Sequence, residues 1–155
     1  MRTAMLVVIT GLMLLPFSGL FCEEKLSVSV FYKEREPSQR VLQRVSFILE
    51  RYRDSYNIDL YNIDNDDNAE FISELGLPST HFPFAVVIAG KYTANIDGKT
   101  VSFVHFPLFM QGIGRHEGNW SLADVEKCLA DISLLAEENA LPELDKSAET
   151  TECED

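Results

Sequence analysis

The chain has three cysteines in 155 residues, Cys22, Cys128 and Cys153, and none between the first two. No closely spaced pair exists, so dithiol–disulfide exchange has no pair of thiols to run on. Basic residues are also scarce. Thirteen Lys and Arg stand against 25 Asp and Glu, a formal net charge of −12. Nucleic-acid binding requires clustered cations to neutralise phosphates, and this balance excludes it. Among the three histidines there is no His-x-x-x-His and no Cys–His pairing. Gly112-x-Gly114 lacks the third glycine, the following Lys and the strand-to-helix position of a phosphate loop. No local signature of a Ser–His–Asp triad occurs, and there are no internal repeats.

What is present is ordinary globular composition, 46% hydrophobic and 25% charged, with ten Phe and five Tyr to build a core. At the N-terminus Arg2 precedes an apolar run, Ala4 to Leu15, closed by Pro16, Ser18 and Gly19. A short basic start, a short apolar stretch and a small-residue zone have the layout of a secretory signal peptide. The run is shorter than the ~20 residues of a membrane span. The expected organisation is a leader over 1–22 with cleavage near Cys22, a domain over 23–136 and an acidic, disordered tail over 137–155. The mature protein is then exported, periplasmic or secreted. Membrane association arises only if the leader is retained or Cys22 is lipidated, although Phe21 stands where a lipoprotein signal wants a small residue. In an oxidising compartment Cys128 and Cys153 can form one disulfide. Equally, Cys128 can be a half-buried helix residue and Cys153 a free thiol.

Along the domain, Leu26–Phe31 alternates apolar and polar residues, the pattern of a strand. Pro37 and Ser38 suit the first turn of a helix whose inner stripe is Val41, Leu42, Val45, Ile48, Leu49 and Tyr52. Asn57–Asp64 reads as a strand. Asp67 with Glu70 resembles the start of a short capped helix, which Gly76 is placed to end. Phe84–Ile88 is apolar throughout, as in a strand buried on both faces. Asp97-Gly98 between Tyr92–Ile96 and Thr100–Phe106 is a two-residue hairpin signal. Ser121 with Asp124 caps a last helix with Leu122, Val125, Leu129 and Ile132 inside. Helices separating the first three strands favour parallel pairing, the hairpin adding an antiparallel strand. The expected fold class is α/β, a mixed central sheet of about four strands with helices on both faces.

That order resembles the thioredoxin fold over roughly Lys25 to Ile132. Val30 to Arg40 sits where that family has its strand-to-helix turn with Cys-x-x-Cys, and Phe82-Pro83 leading into Phe84–Ile88 looks like its cis-proline loop. The family's two cysteines fall on or near Glu36 and Gln39, neither of which can form a thiolate. The resemblance thus implies a redox-inactive member with no cofactor. The surface beside the family's proline often still binds extended peptide, which makes a peptide or protein the expected partner. The fold would gather Glu36, Gln39, His81, Phe82, Pro83, Arg115, His116 and Trp120 at one end of the sheet, where open α/β sheets place their ligands. Phe82 and Trp120 can equally be packed residues, Trp120 as an anchor under the last helix. A zinc site drawn from His81, His116 and a carboxylate is not demanded by the spacing, and His105 reads as a structural strand residue. A binding or adaptor protein is the leading expectation. A non-redox or metal-dependent enzyme at the same end, and an envelope-associated structural protein, are the rivals.

Overall fold

A computed structural model describes residues 24–78, 82–110 and 117–142. The elements follow in the order β1 (Leu26–Tyr32), α1 (Ser38–Leu49), β2 (Tyr56–Asn62), α2 (Ala69–Glu74), β3 (Phe84–Ile88), β4 (Thr93–Ile96), β5 (Lys99–Ser102) and α3 (Leu122–Ala130). The α1 stripe is as its periodicity predicts. Val41, Val45, Ile48 and Leu49 are buried, and Leu42 and Tyr52 pack at the margin. Cap chemistry starts α3. The Ser121 hydroxyl accepts from Asp124 N at 3.3 Å and the Asp124 carboxylate accepts from Ser121 N at 2.7 Å. Asp97 and Gly98, at φ +51° and +75°, make the tight turn joining β4 to β5.

β1, β2 and β3 form one sheet in the order β2-β1-β3. β2 runs parallel to β1, from Leu26 opposite Tyr56 to Tyr32 opposite Asn62. β3 runs antiparallel to β1, from Val28 opposite Ile88 to Tyr32 opposite Phe84. The expected all-parallel pairing of the first three strands is therefore corrected, and helix length gives the reason. The six residues of α2 rise only about 9 Å, against about 23 Å for the seven of β1. Gly76, at φ +69°, then folds the chain back, with Leu77 N donating to Ile72 O at 3.2 Å. The chain therefore re-enters the sheet from the end where β2 finished. The cap of this region also differs from expectation. Asn65, not Asp67, is the cap residue, its side chain accepting from Asp67 N (3.1 Å), and a 3₁₀ turn over Asp66–Asn68 precedes α2.

Helices cover both faces of the sheet. Val28, Val30, Phe84 and Val86 face α1 and α3, while Phe31, Ala85 and Val87 face α2 through Ile72 and Leu77. The hairpin β4–β5 is a separate two-stranded sheet rather than the fourth strand of the first. Past Ser102 the chain crosses to lie along β3. There Val86 N donates to Phe103 O and His105 N to Phe84 O, both at 2.9 Å.

Ile132, expected inside, follows the end of α3 and is 45% exposed. Part of the expected tail is ordered: the Asn139 side chain accepts from Tyr92 N, and Ala140 N donates to Thr93 Oγ1, each at 2.8 Å. Among the described residues no helix is long and apolar enough to cross a membrane.

Candidate functional site

The end of the sheet where β1 stops, α1 starts and β3 begins is built around Ser38, which the sequence marks only as part of a helix start. It is buried at the first position of α1. Its hydroxyl accepts from Lys33 N at 3.3 Å and donates to Pro83 O at 2.5 Å. This hydroxyl joins the β1–α1 turn to the loop entering β3, 45 residues away. The two segments assigned to one site by resemblance do meet. A serine directly after proline at a predicted helix start is the local signal; its partner at Pro83 is not local. Removing the hydroxyl leaves the buried Pro83 carbonyl without this donor, so Ser38→Ala is expected to cost about 1–3 kcal/mol in urea unfolding.

The cis peptide bond among the described residues is Glu36–Pro37, not the expected one before Pro83. Pro83 instead passes straight into β3, and a residue before proline is itself pushed toward extended backbone. On the outer rim Glu36 and Gln39 are exposed, with Glu36 3.7 Å from Arg40 across one helical turn. Lys33 is mostly covered and reaches Asp64 at 3.3 Å. The rim thus offers a carboxylate, a guanidinium and an amide to solvent.

Phe82 and Pro83 are buried, Phe82 in the core under α2. Trp120 is fully buried between the rings of Phe84 and Phe103. Neither aromatic presents a face to a ligand, so the packing reading of both holds over the recognition reading. His81, Arg115 and His116 lie outside the described residues. Among those described, no group of three or more His, Cys, Asp or Glu could hold a metal ion. His105 is buried with a backbone φ of +68°, and its carbonyl accepts from Trp120 Nε1 at 3.3 Å.

Cys128 is a free, fully buried thiol on α3, and Cys153 lies outside the described residues. Burial pushes the Cys128 thiol up to about 11, the Asp124 and Asp131 carboxylates adding to the effect. A group so protonated is not a nucleophile near neutral pH. Tyr56, which donates to Leu129 O at 2.8 Å, is also raised, first by burial. No protein-family model, curated protein or solved structure matches this chain.

Proposed function

We propose that the chain is an exported thioredoxin-like binding or adaptor protein that acts through the Pro83 end of its sheet without dithiol chemistry. The observation that carries this reading is the junction at Ser38. A strand-to-helix turn and a proline loop are locked together, yet the exposed side chains at the turn are Glu36 and Gln39 rather than thiols. The three-layer arrangement, with α1 and α3 on one face and α2 on the other, supports the fold assignment. The rim around Glu36, Gln39 and Arg40 suits an extended peptide or a protein surface better than a small reactive substrate, because it offers hydrogen bonds and no nucleophile.

The test pairs an insulin-reduction assay with a peptide-binding screen. No reduction is expected, and peptides that bind should lose affinity in Glu36→Ala/Gln39→Ala. Reductase activity that disappears in Cys128→Ser and Cys153→Ser would refute the non-redox claim.

The thiol supplies a further prediction. With an aromatic disulfide reagent at pH 8, Cys128 should stay unmodified in the folded protein and react on denaturation. Its proton also links stability to pH. The unfolded chain loses it near pH 9.0 and the folded chain only near 11. The contribution is therefore complete below about pH 9 and is lost as pH rises toward 11. Tyr56 and Tyr92, both raised by burial, act in the same direction. Thermal midpoints measured across pH 8–11 should fall, and Cys128→Ala should flatten the first part of that fall.

A further inference from the structure

β2 is an edge strand, and the ladder fixes which of its groups face outward. Just past its end, Ile63 N donates inward to Tyr32 O at 2.8 Å. By the two-residue period of a strand, Asn57, Asp59 and Tyr61 also face β1, while Ile58 and Leu60 turn their N–H and C=O away from the sheet. Among the described residues no strand pairs with that outer edge. Beside it, between β2 and the C-terminal half of α1, lies a groove of about 420 Å³ whose apolar lining is Leu49, Ile58 and Leu60. Leu60 is 50% exposed.

The charge around this edge is predominantly negative, and the groove's one cation, Arg53, is paired with Glu50 at 2.6 Å. Residues 54–74 contain seven Asp and Glu and no Lys or Arg. Asp54, Asp59, Asp64 and Asp66 are exposed. Asp59 projects from β2 on the face opposite Leu60, since alternate side chains point to opposite faces.

From this edge, groove and charge we propose that β2 takes up a basic, extended peptide segment as an added strand. Its alternate apolar side chains lie beside Leu60 over the groove, and its intervening Lys or Arg side chains lie beside Asp59. Main-chain hydrogen bonds to Ile58 and Leu60 supply affinity, and the two faces set the required alternation. A second copy of this chain is the poorer occupant. It would bring carboxylates against carboxylates at a strand pair, and like charges directly opposite are destabilising. The inference goes beyond the reading of the Pro83 end, since it uses a different edge and different residues.

The experiment titrates the full chain with a capped, alternating Lys-Val octapeptide by calorimetry. A control peptide has a central Val replaced by Pro, and amide hydrogen exchange is followed in the complex. Binding of the first peptide should slow exchange at Ile58 and Leu60 and fail with the proline control. Leu60→Pro deletes one outward donor and leaves the inward ladder, so it should weaken binding about ten-fold or more. Asp59→Lys, a surface change that keeps the backbone intact, should weaken it comparably at low salt. Glu36→Ala/Gln39→Ala should leave it unchanged, which separates this edge from the Pro83 end. Equal binding of the proline control would reduce the effect to charge alone and overturn strand addition. So would exchange protection confined to other elements. Concentration-dependent self-association in sedimentation, abolished by Leu60→Pro, would replace the basic partner with a second copy.

Discussion

Trp120→Ala is expected to remove about 3–5 kcal/mol of folding free energy, a large share of the roughly 5–15 kcal/mol that holds a domain of this size together. The indole is fully buried. It stacks on Phe84 at a centroid distance of 6.3 Å and meets the edge of Phe103 at 5.9 Å. It therefore fills the space between β3 and the chain that crosses from the hairpin to the sheet, just ahead of the cap of α3. Alanine would leave a cavity lined by both rings and remove the donor to His105 O. Collapse is restricted because Phe84 is anchored in the ladder with β1 and Phe103 is hydrogen-bonded to both Val86 and Tyr92. Urea unfolding followed by far-UV circular dichroism measures the loss. Trp120→Phe should lose less, since it keeps most of the ring and forfeits the hydrogen bond. A loss below about 1 kcal/mol for the alanine variant would mean that Trp120 is not the packing anchor.

How much of this was legible in the sequence depends on how local each cause is. The α1 stripe, the Asp97-Gly98 turn, the glycine ending α2 and the Ser121–Asp124 cap are decided within a few residues, and each appears where its pattern places it. The apolar run Phe84–Ile88 is buried on both faces as its composition requires. Misreadings occur where a distant partner decides. The alternation of strands and helices points to parallel pairing of β3, a rule that assumes a helix long enough to carry the chain back; α2 is not. The separation of the hairpin from the main sheet depends on the turn of the chain after Ser102, which no turn residue announces. The site shows the same division. The resemblance places Glu36, Gln39 and Pro83 together, but the hydroxyl that ties their turn to the proline loop belongs to Ser38, which the sequence marks only as a helix-start residue. In the sequence Leu60 reads as an apolar strand position, and only the sheet order shows that, among the described residues, it stands on an open edge.

Gly118→Ala should be the most damaging change of a single methyl group in the described chain. An alanine Cβ at this position would stand 2.6 Å from Val104 O, 2.8 Å from Phe106 O and 2.9 Å from Trp120 Cδ1. Two of these are backbone oxygens, which cannot rotate aside as the end of a side chain could. Nor can the strands simply part. Gly118 N donates to Phe106 O at 2.7 Å, and Leu108 N donates to Trp120 O at 2.8 Å. Separation would break the first bond and drag Trp120 from its place between Phe84 and Phe103. Overpacking of this kind costs about 3 kcal/mol or more. Gly98→Ala is the fitting comparison. Nothing lies within 4 Å of its added methyl, and only its φ of +75° opposes the substitution, at about 1–2 kcal/mol. Unfolding free energies of the two variants should therefore differ by at least about 1 kcal/mol, with Gly118→Ala the lower. Equal values would show that the Phe106–Gly118 contact yields without resistance. Trp120 would then owe its position to the cap of α3 alone.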